Sequence, residues 1–164
     1  MKKILISIKP KYVAKILNNR KTLEIRKSFP KCDLPCEVYI YCTKDRQLLK
    51  ITNDYGEDMF FVDKVKYLKH LVISGKVVAK FTLNKVEKIE PTSSGFATKE
   101  LCSSSLRDFS CLTQQELAEY LGHKDGYAWH IDQKSLVIFD KPKELKEFGV
   151  KRSPQSYMFV EVEE

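Results

Sequence analysis

The fold of this chain is indicated most clearly by residues 18–27, which read Asn-Asn-Arg-Lys-Thr-Leu-Glu-Ile-Arg-Lys. They follow a short segment whose apolar residues recur with helical spacing. Apolar and polar residues then alternate over residues 22–26, and a period of two predicts a β-strand. Leu23 and Ile25 would face one side of this strand, and the polar residues between them would face the other.

Three charged residues of this stretch form a candidate binding site. Glu24 and Arg26 are two residues apart and therefore share a strand face, while Lys21 lies in the turn that enters the strand. A carboxylate between two cations stays ionised and orients their N–H donors. Such a cluster suits a phosphate, a base edge or a polar small molecule. The alternative is an exposed strand face with an ordinary ion pair, which contributes little to stability.

The segments around this motif occur in a recognisable order. Residues 6–13 lead into the short helical pattern, and residues 127–131 and 152–157 follow much later. Together with the charged motif they resemble a bacterial or phage ASCH domain of the PUA-like superfamily, which carries a G-x-K-x-x-E-x-R signature. Asn19 stands where the family has glycine, and asparagine tolerates the left-handed conformation better than most residues. The resemblance implies an α+β fold, namely a small PUA-like β-barrel with a helix after the first strand and two or three short helices.

The length and the pattern of elements predict one domain over residues 1–164, and the resemblance implies that this domain is ASCH/PUA-like. Many short strands, few helices and no internal repeat favour an α+β fold with a small closed barrel. Residues 44–74 are predicted to be an insertion, with a strand near Phe60 and a helical pattern from Val65 to Val72. Residues 91–112 are rich in serine and threonine and predict a long loop, which would suit a mobile lid.

Composition limits the possible partners. The chain has 29 Lys and Arg against 22 Asp and Glu, and its net charge of +7 favours a polyanionic partner. No run approaches the roughly 18 apolar residues of a membrane span, and the apolar run at the N-terminus is too short for a signal peptide. We therefore expect a cytoplasmic protein without a membrane partner. The sequence contains no signal for its oligomeric state.

Metal and cofactor chemistry is not indicated. The five cysteines predict reduced thiols, and Cys32 and Cys36 lack a second pair or a nearby histidine that would complete a zinc site. The three histidines show no ligand spacing, and neither a phosphate-binding glycine loop nor a nucleophile elbow is present. We predict no metal and no cofactor, so that an enzyme of this sequence would be a cofactor-free hydrolase.

In ASCH domains the signature lines a cleft between the first helix and the barrel, which implies a nucleic-acid or nucleotide-like ligand for Lys21, Glu24 and Arg26. Four further residues complete the predicted site. Lys9 precedes the helix and would meet phosphate, Trp129 and Tyr41 would stack on bases, and His130 would donate to a phosphate or base. The ordinary alternatives are a solvated lysine, a core tryptophan and a structural histidine.

Two classes of function fit these residues. A nucleic-acid-binding module, with RNA as the expected ligand, needs a basic cleft and an aromatic surface, and we favour it. Some small ASCH proteins are amidohydrolases of acetylated cytidine that use a lysine, a threonine and a glutamate. Here Lys21 matches, but Glu24 occupies the threonine position, with Thr22 two residues earlier on the same face. Metal-free RNA cleavage by a lysine and a histidine is the other enzymatic alternative.

Overall fold

The computed structural model describes residues 2–63 and 69–163. None of the helices in these residues has the length and hydrophobicity needed to span a bilayer. Three α-helices are present in this part of the chain, together with 3₁₀ turns at Gln133–Ser135 and Leu145–Phe148: α1 (Pro10–Leu17), α2 (Ser103–Ser110) and α3 (Gln114–Leu121). The strands are β1 (Lys2–Ile8), β2 (Leu23–Arg26), β3 (Cys36–Cys42), β4 (Leu48–Thr52), β5 (Asp58–Val62), β6 (Leu71–Val72), β7 (Val77–Thr92), β8 (Gly95–Ala97), β9 (Gly126–Ile131), β10 (Val137–Lys143) and β11 (Tyr157–Glu161).

The main sheet has eight strands and confirms the α+β class. Its paired path runs β11-β1-β3-β7-β9-β2, and β8 and β10 pair with β7 beside this path. The long β7 pairs with β3 through its first half and with β9 through its second half. Among the described residues no backbone pairing joins β11 to β2, the two ends of the path. A barrel closed by hydrogen-bonded strands therefore stays a prediction.

The largest core lies between the inner face of this sheet and α1. Alternate residues of β1 point inward, and α1 contributes the apolar stripe expected from its sequence. These residues are Ile4, Ile6 and Ile8 on β1, and Val13, Ile16 and Leu17 on α1. The first strand and the first helix are confirmed, and their packing fixes the position of the turn that follows α1.

A second core covers the other face of β2 and β9. Leu23 and Ile25 pack there with Leu106 of α2 and Leu117 of α3. The prediction of a long loop over residues 91–112 is wrong, because this stretch holds the end of β7, β8 and α2. Leu106, which is fully buried, fixes the serine-rich segment as a helix against the sheet. By contrast, α3 has the ends that short-range sequence rules favour, a capping box of Thr113 and Glu116 at its start and the left-handed Gly122 at its end.

Residues 44–74 contain a small sheet of their own, in the order β5-β4-β6. Phe60 of β5 is buried in the main core, which confirms the strand predicted there. The side-chain amide of Asn18 donates to the Phe60 carbonyl oxygen (2.8 Å) and accepts from the Phe60 N–H (3.1 Å), so that it ties β5 to the end of α1. The sequence predicts a helical pattern from Val65 to Val72. Its first four residues lie outside the described residues, and its last residue, Val72, belongs to β6.

The turn between α1 and β2 brings the charged motif into the structure. Asn19 has a φ of 59°, which confirms the left-handed conformation expected where the family has glycine. The N–H groups of Arg20 and Lys21 both donate to the carbonyl oxygen of Lys15, at 2.8 and 3.0 Å. These hydrogen bonds end the helix and fix the backbone of Lys21.

Substitutions at Asn19 test this turn. Asn19→Val should lower the free energy of unfolding by about 1–2 kcal/mol, because a β-branched residue is disfavoured at positive φ. Asn19→Gly should be close to neutral, since glycine adopts this conformation freely. Urea unfolding of both variants provides the measurement, and equal losses of stability would contradict the interpretation.

Candidate functional site

Lys21, Glu24 and Arg26 form a buried charged cluster at the end of the main sheet. Their exposed fractions are 2%, 7% and 7%. Glu24 Oε1 accepts from Arg26 Nε at 3.0 Å, and Glu24 Oε2 lies 3.5 Å from Lys21 Nζ. The alternative of an exposed strand face with an ordinary ion pair is therefore wrong. Removing one partner of such a buried pair typically costs about 3–5 kcal/mol, far more than for a surface pair.

The Lys21 ammonium is held from two sides besides Glu24. Its Nζ donates to the carbonyl oxygen of Ser110, the last residue of α2, at 2.6 Å. It also lies 5.1 Å from the ring centroid of Tyr12 on α1, in a cation–π contact. Burial lowers the pKa of Lys21, and the nearby carboxylate of Glu24 opposes this effect.

Arg26 connects the two ends of the paired strand path. Its Nη2 donates to the carbonyl oxygen of Ser7 on β1 at 2.6 Å, and its Nη1 donates to the hydroxyl of Ser156 at 3.2 Å. Ser7 also donates its backbone N–H to the carbonyl oxygen of Ser156 at 2.9 Å. A single guanidinium on β2 thus holds β1 and the residue that precedes β11.

The carboxylate of Glu24 retains unused hydrogen-bonding capacity. Its Oε2 is buried and accepts no hydrogen bond from the residues that the structure describes. A carboxylate oxygen has two acceptor sites, and a buried one without a hydrogen bond is uncommon. The 3.5 Å ion pair with Lys21 is long for a charge-assisted hydrogen bond. The cluster therefore has a place for one more N–H or O–H donor.

Residues from α1 and α3 form the rim above the cluster. The Tyr12 hydroxyl donates to Glu116 Oε2 at 3.0 Å, and burial together with this carboxylate raises the pKa of Tyr12 to about 12. Burial would raise the pKa of Glu116, but hydrogen bonds from Thr113 and Tyr12 outweigh it and lower that pKa. Tyr120, the other aromatic residue of the rim, is partly exposed.

Tyr120 lies near the charges of the cluster. Burial raises its pKa, and the charges of Arg26 and Glu24 act on it in opposite directions, so the phenol is within electrostatic range of both. The Lys27 ammonium is 5.1 Å from the centroid of the Tyr120 ring. The rim thus combines two tyrosines with exposed cations, above a buried set of three charges.

Trp129 does not serve as a stacking platform, contrary to one of the two interpretations of its position. It is fully buried, and its ring packs edge-on against Tyr157 at 5.2 Å between centroids. Its Nε1 donates to the carbonyl oxygen of Ser28 at 3.1 Å, which satisfies the only polar atom of the ring. It pairs with Glu24 across β2 and β9, so it supports the cluster from within the core.

Tyr41 and His130 also lie apart from the cluster. Tyr41 is buried with Phe148 and Val150, which cover its face of β3, so it is not exposed for the base stacking predicted for it. His130 pairs with Leu23 and therefore lies on the opposite face of β2 and β9 from Glu24. There it contacts the buried carboxylate of Glu87 at 2.5 Å, so it is not positioned to act together with Lys21.

Two other predicted residues lie close to the cluster in sequence. Lys9 is exposed at the start of α1, two residues after the Ser7 carbonyl that Arg26 binds. Thr22 is half-buried, and its backbone N–H donates to the carbonyl oxygen of Phe109. In the described part of the chain, no three His, Cys, Asp or Glu side chains converge in an arrangement that would hold a metal ion.

The sequence alone does not identify the residues from distant parts of the chain that surround the cluster. Glu116 was recognisable only as the second member of the α3 capping box, and it does fill that role through Oε1 while Oε2 accepts from Tyr12. Ser156 belongs to a polar run that reads as a turn. Nothing in the sequence joins Ser7, Ser110 and Tyr120 to residues 21–26.

Comparison with known proteins addresses the fold. No family model and no curated protein sequence matches the chain. A crystal structure of ASCH from Zymomonas mobilis matches with a TM-score of 0.63 and 16% identity, covering 97% of this chain and 87% of that one. The chain has an ASCH-type fold.

Two further solved structures agree with this ASCH-type fold. They are a serine-to-alanine variant of the same Zymomonas protein (TM-score 0.63, 16% identity, 97% and 88% of the two chains) and a tyrosine-to-phenylalanine variant (0.63, 17%, 98% and 91%). The resemblance noted from residues 6–26 is confirmed at the level of the fold. At such identity, the function must be argued from the site itself.

The Tyr12–Glu116 contact predicts a specific response to alkaline pH. Because the folded-state pKa of Tyr12 is raised to about 12, the stability it contributes is complete below its unfolded value of about 10 and is lost between these two values. The stability advantage of the wild type over Tyr12→Phe should therefore be larger at roughly pH 9 than at roughly pH 11.

Urea unfolding at the two pH values measures this difference. Tyr55→Phe, at a position that is 90% exposed, is the matched control. A constant difference between the wild type and Tyr12→Phe would show that the phenol is not held as described.

Proposed function

We propose that the charged cluster and its rim on α1 and α3 form a cleft that binds single-stranded nucleic acid, with RNA as the expected ligand, or a nucleotide. The observation that carries this proposal is the buried Glu24 Oε2, which accepts no hydrogen bond from the described residues although it lies between Lys21 and Arg26. The exocyclic amino and ring N–H groups of nucleobases are donors of the required kind, and glutamate accepts from cytosine N4 in known complexes. A pure phosphate ligand has no such donor.

The rim would supply the two other interactions that nucleic-acid recognition needs, namely stacking of bases on aromatic rings and contacts between cations and phosphates. Tyr12 and Tyr120 replace Trp129 and Tyr41 as the aromatic residues on which an unstacked base would lie, a contact that contributes about 1–3 kcal/mol per base. Lys9 and Lys27 are exposed near the cleft and would meet phosphates. Glu24 is only 7% exposed, so a base must displace part of the rim to reach it.

The same proposal includes three points about the molecule as a whole. We propose that the main sheet functions as a barrel whose ends are held by Arg26, through Ser7 and Ser156, in place of a strand pairing. We also place the protein in the cytoplasm, as a module without a membrane partner. Residues 1–164 would act as one domain, with the small sheet of residues 44–74 as an insertion.

A cofactor-free amidohydrolase is the second candidate, and one observation favours it. Glu24 Oε2 is buried, lies 3.5 Å from Lys21 Nζ and accepts no hydrogen bond from the described residues, so this carboxylate would be the general base for a water molecule while Lys21 holds the substrate carbonyl. Thr22 would be its nucleophile in the threonine-dependent version. RNA cleavage by a lysine and a histidine is not supported, because His130 lies on the other face of the sheet.

Charge at the cleft should control affinity. Lys9→Gln combined with Lys27→Gln should weaken binding of a labelled RNA oligonucleotide and reduce the slope of log affinity against log salt by about 0.7 for each phosphate that the variant no longer binds. Lys2→Gln combined with Lys99→Gln removes the same charge from exposed positions elsewhere and is the matched control.

Fluorescence anisotropy at several salt concentrations provides the measurement. If the wild type binds neither RNA nor DNA at low salt, the proposal is wrong. Equally weakened binding in the two double variants would mean that net charge alone governs binding, which would also contradict a defined cleft.

Glu24→Gln separates the two candidate functions. In a binding module, loss of the carboxylate frees Lys21 and Arg26 and removes an acceptor, so affinity for RNA should fall and neither protein should form product. In a hydrolase, the variant would retain substrate binding and lose turnover. Both proteins are incubated with acetylated cytidine and with RNA, and binding and product are measured together. We expect weaker binding and no product, and turnover by the wild type would refute the binding-only function.

A further inference from the structure

A second basic site lies beside the cleft, on the outer face of β3. A cavity of about 560 Å³ opens there, with the otherwise buried Tyr41 in its wall. Three of its lining residues are lysines: Lys44, Lys146 and Lys151. The one acidic lining residue, Glu144, is paired with Lys76 at 3.1 Å, so its charge is neutralised locally. The cavity therefore carries a net positive charge.

Lys44 is positioned by its backbone surroundings. Gly75 has a φ of 77°, and a Cβ atom at that position would come within 2.9 Å of Lys44 Cε and 3.0 Å of its Cγ. The stem of Lys44 thus lies directly against the glycine, in space that any other side chain would occupy. Lower conformational freedom of the stem reduces the entropy lost when the ammonium binds an anion.

The cavity and the cleft are separated by the distance between two neighbouring strands, β3 and β1. Tyr41 and Ser7 are neighbours in the parallel pairing of β1 and β3, where strands are about 4.8 Å apart. The carbonyl oxygen of the same Ser7 accepts from Arg26 in the cleft. The Ser7 hydroxyl in turn donates to the Pro154 carbonyl oxygen at 2.6 Å.

Residues 151–156 follow the same route along the surface. Lys151 lines the cavity, Pro154 accepts from the Ser7 hydroxyl, and Ser156 accepts from Arg26. Five residue steps cover at most about 18 Å. Arg152, like Lys151, is exposed in this segment. Cationic groups therefore continue from the cleft to the cavity at a spacing that a few nucleotides of one strand would cover.

We propose that this cavity binds backbone phosphates of the single-stranded nucleic acid whose base occupies the cleft. The inference rests on the function proposed above and adds a direction to it, since the strand leaves the cleft over residues 151–156. A phosphodiester has no base-specific groups, so the cavity lengthens the binding site without contributing sequence preference.

The test compares a dinucleotide with a dodecamer of single-stranded RNA. Both are titrated against the wild type, the cavity variant Lys146→Gln/Lys151→Gln and the control Lys2→Gln/Lys99→Gln, at about 50 and 200 mM salt. The wild type should bind the dodecamer more tightly than the dinucleotide. The cavity variant should bind the dodecamer roughly three- to tenfold more weakly with a reduced salt slope, and the dinucleotide as the wild type does.

The outcomes separate this inference from the proposed function. A cavity variant that binds the dodecamer like the wild type would overturn the second site while leaving the cleft intact. Equally weakened binding of both oligonucleotides would also overturn it, because the lysines would then act on the cleft itself. A wild type that binds neither oligonucleotide would remove the proposed function and this inference with it.

Discussion

The hydrogen bonds of the Arg26 guanidinium are the constraint on which the rest of the structure depends. They reach Glu24 on the same strand, the backbone of β1 and the residue before β11, which are elements from the two ends of the paired path. In a closed barrel, hydrogen bonds between backbone N–H and C=O groups would join these ends. Here one side chain performs that role, and it does so only if its charge is balanced by the Glu24 carboxylate.

Lys21, Glu24 and Arg26 are buried at a place where apolar residues could provide equal or greater stability. Well-packed apolar residues are often as stable as a buried ion pair, so a cluster of this kind is weak evidence for a stabilising role. Buried, mutually dependent charges next to two tyrosines are more typical of a site that binds or reacts. The aromatic residues are divided between the core and the rim of the cluster. Trp129 packs inside the core, whereas Tyr12 and Tyr120 remain at the rim.

What the sequence predicts well is local. The alternation in β1 and β2, the apolar stripe of α1, the left-handed Asn19 and the capping box of α3 all follow from short-range rules, and each is present. The failures have a common physical origin. An alternating pattern shows which residues share a face, but not which element covers it, so Tyr41 looked available although the segment before β11 covers it. Helix α2 was missed because its only buried apolar residue is Leu106.

The distance along the chain between the partners of Arg26 also has a consequence for biosynthesis. Arg26 and Ser156 are separated by 130 residues, and Lys21 and Ser110 by 89. At typical rates of translation, about 5–20 residues per second, about 7–26 s pass between the synthesis of Arg26 and that of Ser156. During that interval the emerging chain carries an incomplete charged cluster and an unsecured sheet end.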